Sequence, residues 1–183
     1  MRDLPSEGKI WDIKGRCPRC GEEIVISEYL YNAPLVGMVI LASSKCDRCG
    51  YTYRNVRAAE SLGPQRLKLY VDDPDDLNIL VVRASSASIY IPEFGISIEP
   101  GPASEGFITT VEGILNRILN VLKILARDEE VDPRKLSKVE SDLRNALEGR
   151  RAFTLIIRDP DGVSRIISDK VEKERLYRED VKD

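Results

Sequence analysis

Four cysteines are the residues whose types and spacing most clearly indicate chemistry. They are all the cysteines in the chain and form two pairs, Cys17 with Cys20 and Cys46 with Cys49, each with two residues between the thiols and a glycine after the second. Two C-x2-C-G knuckles joined by strand-like sequence are typical of a zinc ribbon, in which four thiolates hold one Zn²⁺. The alternative is a pair of disulfides or free redox thiols, but the spacing is that of zinc sites rather than of a secreted scaffold.

The chain also lacks side chains on which many enzymes depend. Among its 183 residues there is no histidine, so no imidazole is present for general-base catalysis or metal binding. A site of four thiolates has no open position for substrate, so we expect a structural zinc ion and a protein that is not an enzyme. A carboxylate-based enzyme that uses the acidic turn at residues 72–76 is a further hypothesis, and the simpler interpretation of that turn is a solvated loop.

Charge and hydropathy indicate where the protein is expected in the cell and which class of partner is less expected. Charged residues make up 32% of the chain but nearly cancel to a net charge of −3, whereas a broad nucleic-acid footprint usually needs a basic excess. No segment has the pattern of a signal peptide or a membrane span. We therefore expect a cytoplasmic protein in a reducing compartment.

The elements that must position the cysteines are short strands. Alternating or continuous apolar residues predict three of them, at 23–31, 35–43 and 51–57. Residues 1–16 are polar with isolated apolar positions, which predicts an arm whose Trp11 covers the edge of the ribbon core. Residues 1–62 are thus assigned to the zinc ribbon with its arm, and Gly63-Pro64 ends a linker.

Residues 63–168 predict a second β domain, interrupted by helices. Strands are expected at 66–71, 77–83, 88–91, 96–99, and in a hairpin at 153–158 and 163–168. At about 109–150 the apolar period changes to 3.6, which predicts a helical hairpin with helices at 109–127 and 132–149. A capping box of Thr109 and Glu112 would start the first helix. Residues 169–183 predict a charged tail, as a short surface helix or a frayed end.

Several of these segments, in chain order, resemble the ZPR-type zinc-finger proteins. That family's pattern contains S-x-x-C-x-x-C-G, D-L-N-R, I-P-E-L, T-T-V-E-G-L and D-P-x-G-N-S. The matching segments lie within residues 15–168 and are Ser43 to Gly50, Asp76-Leu77-Asn78, Ile91-Pro92-Glu93-Phe94, Thr109 to Leu115 and Asp159-Pro160-Asp161-Gly162. Two positions depart from the pattern, because Ile79 replaces its arginine and Val163 replaces its asparagine.

The resemblance implies both a fold and a function. The fold is mainly β (α+β), with an N-terminal zinc ribbon followed by a double-stranded β-helix that carries an inserted helical hairpin. Eukaryotic members have two such modules in tandem, whereas this chain has one and looks like an archaeal-type member. Those relatives bind translation elongation factor 1A and act as its folding chaperone, so the resemblance implies this GTPase as the client.

Contacts with such a client are expected at two places on the ribbon. Arg19 and Arg48 lie at the knuckle tips beside Pro18 and Asp47, and Leu35 and Met38 lie in the expected second strand. An apolar strand flanked by polar tips suits a client edge. The competing interpretation is that these apolar residues and Val36 are simply ribbon core.

The alternative function is that of a nucleic-acid-binding zinc ribbon of transcription or translation. Basic side chains in or beside the knuckles would then meet phosphates, namely Arg16, Arg19, Lys45 and Arg48. Solubility is the simpler explanation of these four charges. A steep salt dependence of binding would distinguish nucleic-acid recognition from client binding.

Overall fold

The computed structural model describes residues 7–127 and 131–176, which form three antiparallel sheets and two α-helices. This arrangement confirms the expected class, mainly β with a cysteine-bearing ribbon ahead of a larger β domain. Neither α-helix in the described residues is long and apolar enough to cross a membrane.

The first sheet is the ribbon, with its strands in the order β1-β2-β3-β4. These strands are Gly8–Arg16 (β1), Glu23–Ala33 (β2), Gly37–Lys45 (β3) and Thr52–Ala58 (β4). The three expected strands are confirmed with shifts of one or two residues. The prediction that residues 1–16 form an arm is wrong for β1, because this strand pairs with β2 along its length. Charged side chains interrupt its apolar alternation, as is common on the exposed edge strand of a sheet.

Trp11 does not cover an apolar core, as the sequence had suggested. Its ring is 53% exposed, and its indole N–H donates to the Glu28 carboxylate at 3.0 Å. Glu28 is buried on the sheet and also accepts from Arg57 at 3.2 Å. Trp11 therefore helps to satisfy a buried charge, which is unfavourable unless it is paired or hydrogen-bonded.

The second and third sheets share the main apolar core. Their orders are β12-β5-β10-β7-β8 and β11-β6-β9. The bounds are Gln65–Val71 (β5), Leu80–Arg83 (β6), Ser88–Ile91 (β7), Ile96–Ile98 (β8), Phe107–Thr110 (β9), Phe153–Asp159 (β10), Arg165–Ile166 (β11) and Glu172–Arg175 (β12). Alternate residues of the long strands β5 and β10 are buried, which gives the two-residue period of a sheet with one covered face.

The prediction that residues 153–158 and 163–168 form a β-hairpin is wrong. β10 pairs with β5 and β7, whereas β11 is only two residues long and pairs with β6 in the other sheet. Buried Asp159 turns the chain between the sheets, because its carboxylate accepts from the backbone amides of Asp161 and Ser164. The D-P-D-G turn is therefore a corner between two sheets rather than a hairpin loop.

The helical hairpin lies between β9 and β10, as expected. Helix α1 spans Val111–Leu125 and helix α2 spans Pro133–Leu147, and they contact each other and the main core. The cap of α1 is Thr110 rather than Thr109, since the Thr110 hydroxyl accepts from the Gly113 amide at 3.1 Å. The sequence missed β9 because the strand joins the helix without a turn. Asp132 caps α2 as expected.

Residues 58–64 are not a free linker. Their backbone is bound by the 159–165 turn, and we call this junction the clasp. The amides of Ala58 and Leu62 donate to the carbonyls of Val163 and Gly162 at 3.2 and 2.9 Å. A Cβ at Gly162 would lie 2.1 Å from the Gly63 carbonyl oxygen, so only glycine fits this approach.

We predict that Gly162→Ala destabilises the protein far more than Gly95→Ala. Both glycines have positive φ, but a Cβ at Gly95 meets nothing within 4 Å. The control should lose about 1–2 kcal/mol of unfolding free energy from backbone strain alone, and Gly162→Ala about 2–5 kcal/mol because the clasp must also move apart. Urea unfolding at constant m-value measures both, and equal losses would contradict the clasp.

The segment after residue 168 is neither a surface helix nor frayed where it is described. β12 pairs with β5, and the Lys170 ammonium lies 2.9 Å from both Asp76 carboxylate oxygens. Asp76 is buried, so the acidic turn is not simply a solvated loop. Burial opposes its ionisation, but Lys170 and the amides of Asp72 and Asp73 outweigh it and lower the pKa of Asp76. The rest of the expected tail, residues 177–183, lies outside the described residues.

We predict that Asp76→Asn lowers the unfolding free energy by about 1–3 kcal/mol at pH 7, because it removes a buried hydrogen-bonded charge. A lowered folded-state pKa contributes stability that is present above the unfolded pKa of about 4 and lost as pH falls through the folded value. The difference from wild type should therefore shrink below about pH 4. Exposed Asp75→Asn is the control, and a pH-independent difference would refute the role of the charge.

Candidate metal centre

Each cysteine pair lies in a tight turn that backbone hydrogen bonds define. The Cys17 amide donates to the Glu22 carbonyl and the Gly21 amide to the Cys17 carbonyl, both at 2.8 Å. The second knuckle repeats this geometry, with the Gly50 amide donating to the Cys46 carbonyl at 2.9 Å. Gly21 and Gly50 have φ of 74° and 71°, a left-handed conformation that favours glycine. The two C-x-x-C-G repeats therefore encode one turn used twice.

The turns bring all four thiols together. Their sulfur atoms lie within 4.8 Å of one another, with Sγ–Sγ distances of 3.6 Å for Cys17–Cys49 and 3.5 Å for Cys20–Cys46. Two sulfurs bound tetrahedrally to zinc at about 2.3 Å are about 3.8 Å apart, so the donor set fits one zinc ion. All four cysteines are free thiols, which disagrees with the disulfide alternative.

Without a cation the four thiols do not ionise together. Burial opposes ionisation of Cys17, but the amides of Arg19 and Cys20 and the neighbouring thiols lower the pKa of Cys17 to about 7. The Glu22 amide lowers the pKa of Cys20, but burial and the three other thiols outweigh it and raise that pKa to about 12. Zinc would supply the positive charge that lets four close thiolates coexist.

The expected contact residues Arg19 and Arg48 lie at the knuckles, as their sequence positions required. Arg19 donates to the Cys49 carbonyl at 3.4 Å, and Arg48 donates to the Glu22 carboxylate at 3.2 Å. Each bond joins one knuckle to the other. Both side chains therefore brace the metal centre, although both remain exposed.

Leu35 and Met38 lie at the opposite end of the ribbon. The expected strand at 35–43 begins only at Gly37, because Leu35 and Val36 form the turn between β2 and β3. The eleven residues of β2 separate this turn from the knuckles, a span of roughly 35 Å at about 3.4 Å per residue. The knuckle tips and the hairpin turn therefore lie at opposite ends of the ribbon.

The turn gives Leu35, one of the expected contact residues, a backbone conformation that the sequence did not predict. Leu35 is 81% exposed and has φ of 66°, the one positive φ of a non-glycine residue in the described chain. It is not ribbon core, whereas Val36 and Met38 are half-buried. A bulky side chain rarely adopts this conformation, and no sequence pattern at a leucine signals it.

A closed four-thiol centre in a β-ribbon, followed by a second β domain with an inserted helical hairpin, defines a class of zinc-ribbon proteins in which the metal is structural. The family model for the ZPR1 zinc-finger domain matches residues 9–64, and that for the ZPR1 jelly-roll domain matches residues 75–182. The chain belongs to the ZPR1 family.

Its relatives include archaeal and eukaryotic proteins. A ZPR1-like protein of Methanocaldococcus jannaschii is 38% identical over 90% of this chain and 85% of its own length. One of Pyrococcus horikoshii is 36% identical over 95% and 82%. The zinc finger chaperone zpr1 of Schizosaccharomyces pombe is 33% identical over 79% of this chain, which spans only 33% of that relative. These relationships identify a zinc-binding protein-interaction module whose cofactor is one structural zinc ion.

We predict one zinc ion per chain in protein purified without chelator. Cys46→Ala should abolish stoichiometric binding and unfold the ribbon, while most of the jelly roll stays folded because its core is separate. Elemental analysis measures the zinc, and amide hydrogen exchange distinguishes the two regions. Two results would contradict this prediction: loss of amide protection in the jelly roll together with the ribbon in Cys46→Ala, or a zinc content near zero in the wild type.

Proposed function

We propose that this chain is a cytoplasmic zinc-dependent module that binds translation elongation factor 1A as a client and assists its folding. In this proposal, Cys17, Cys20, Cys46 and Cys49 ligate the zinc. The ribbon occupies residues 1–62, the jelly roll 63–168 and a charged tail 169–183, whose strand β12 joins the jelly-roll sheet beside β5. Support comes from family membership and from the relative named a zinc finger chaperone. With every cysteine at the zinc centre and no histidine, the chain's chemistry suits binding rather than catalysis.

The hairpin turn of the ribbon is the structural observation that carries the proposal. A leucine with left-handed backbone is strained by about 1–2 kcal/mol, and such strain is typical of functional sites. Three further apolar side chains on one face of β2 are 40–47% exposed and lead towards it, and together with Leu35 we call them the hairpin face: Val25, Tyr29, Tyr31 and Leu35. An exposed apolar surface of this kind favours contact with a protein.

The nucleic-acid alternative gains no support from the basic side chains. Arg19 and Arg48 donate within the ribbon, as described, and Arg16 donates to the Gly21 carbonyl at 3.4 Å. Three of the four charges proposed to meet phosphates thus already have hydrogen-bond partners at the knuckles. We therefore place the client contact on the hairpin face.

The test uses the purified chain and elongation factor 1A of the same organism, in both nucleotide states and during refolding. Leu35→Gly should weaken binding at least about tenfold, because it removes a buried apolar contact. The same change should leave the unfolding free energy unchanged or raise it by up to about 1 kcal/mol, because glycine relieves the strain. Ile124→Ala, a 67% exposed residue on α1, is the matched control and should bind normally.

Three other outcomes would each contradict a different part of the proposal. Absence of a complex at roughly tens of micromolar, with no gain in refolding yield, would refute the client proposal. Normal binding by Leu35→Gly together with loss in Arg19→Glu/Arg48→Glu would move the contact to the knuckle tips. Strong binding to nucleic acid that falls steeply with salt would favour the alternative function.

A further inference from the structure

A cavity lies between α1 and the jelly-roll strands, and none of its lining residues belongs to the ribbon. Its volume is about 440 Å³, within the range of roughly 300–1,000 Å³ that small-ligand sites occupy. Residues of β7, β8, α1 and α2 give it apolar walls, which include Ile89, Ile96, Ile98, Ile118, Leu122 and Val139.

One wall carries a buried cation. Arg83 is only 5% exposed, and its guanidinium donates to neutral acceptors: the carbonyls of Ala87 and Glu105 and the hydroxyl of Ser104, at 2.6–3.2 Å. Asp159 attracts Arg83 but forms no salt bridge with it in the described residues. A buried charge without a bound counterion is unfavourable, so this wall favours an anion.

A second cation, Arg117, lies beside Arg83. The Arg117 guanidinium lies 4.3 Å from the centre of the Phe107 ring, and that of Arg83 lies 5.7 Å from the same ring. Burial, and next the charge of Arg117, lower the pKa of Arg83. Within residues 7–127 and 131–176, Arg117 has no ion pair or hydrogen bond, so the N–H groups of its guanidinium are available to a ligand.

The acidic residue of the cavity, Glu99, forms no salt bridge with Arg83 or Arg117 among the described residues. Glu99 accepts hydrogen bonds from the hydroxyls of Ser88, Tyr90 and Ser97, at 2.5–3.2 Å. These hydroxyls occupy its carboxylate oxygens and help to lower its pKa. The cavity therefore combines apolar walls with two guanidiniums that form no salt bridge among the described residues.

We propose that this cavity binds a small amphipathic carboxylic acid. Its hydrocarbon body packs on the isoleucine and leucine walls, and its carboxylate accepts a charge-assisted pair of hydrogen bonds from Arg117, with the charge of Arg83 behind it. The site goes beyond the client-binding function and lies on residues that the hairpin face does not share.

Calorimetric titration of the full chain with dodecanoate below its micelle concentration tests the proposal. Dodecanoate should bind, and dodecanol, with the same hydrocarbon body and no charge, should bind about ten- to hundredfold more weakly. Arg117→Leu should weaken dodecanoate by a similar factor and dodecanol little. Arg134→Leu, an exposed cation on α2 outside this cavity, is the matched control.

A second variant tests the location. Val121→Trp at the half-exposed rim should block dodecanoate without lowering the unfolding temperature. Equal affinity for dodecanoate and dodecanol, or no binding at about 1 mM, would overturn the proposal. So would unchanged dodecanoate binding in both Arg117→Leu and Val121→Trp, or binding of an apolar peptide with a free carboxyl terminus in place of dodecanoate. Binding of elongation factor 1A by these variants is measured separately. The client proposal and the cavity proposal can therefore be refuted independently of each other.

Discussion

The close approach of four thiols is the constraint on which the ribbon depends. Near the metal centre the buried cluster of the described residues is small: Cys17, Ile24 and Cys46, with Cys20, Ile26, Cys49 and Tyr51 packed against it. We infer that so small a core does not hold the knuckle end of the sheet without the metal. Four thiolates at this separation repel one another unless a cation lies among them, so zinc binding and ribbon folding are one equilibrium. The main core, by contrast, draws on both jelly-roll sheets and both helices and contains none of the four cysteines.

Hydrogen bonds to backbone groups join the ribbon to the jelly roll. The Asn55 side chain accepts from the Gly106 amide at 2.7 Å, and the Val56 amide donates to the Gly106 carbonyl at 3.2 Å. A Cβ at Gly106 would lie 2.2 Å from the Val56 carbonyl oxygen, so glycine is required here as in the clasp. Two glycine-dependent junctions thus fix the strand that follows the second knuckle, and through the sheet they hold the hairpin face that we propose as the client contact.

Sequence reasoning succeeded where the signal is local. The knuckles, the strands between them and the two amphipathic helices follow from spacing and period alone. It failed where pairing is decided at a distance: β10 and β11 separate into different sheets, and β1 pairs despite its charged sequence. Leu35 was a candidate contact from the sequence, but its left-handed backbone could not be predicted because that conformation is set by the turn around it. The two guanidiniums of the cavity, Arg83 and Arg117, converge only through the jelly-roll topology.

The central claim is that a single zinc ion, held by sulfur alone, organises the ribbon. X-ray absorption at the zinc edge of the purified chain tests it most directly, because it reports both the ligand type and the bond length. The account predicts four sulfur neighbours at about 2.3 Å and no nitrogen or oxygen ligand. A shell that contains oxygen or nitrogen, or fewer than four sulfurs per zinc ion, would contradict it.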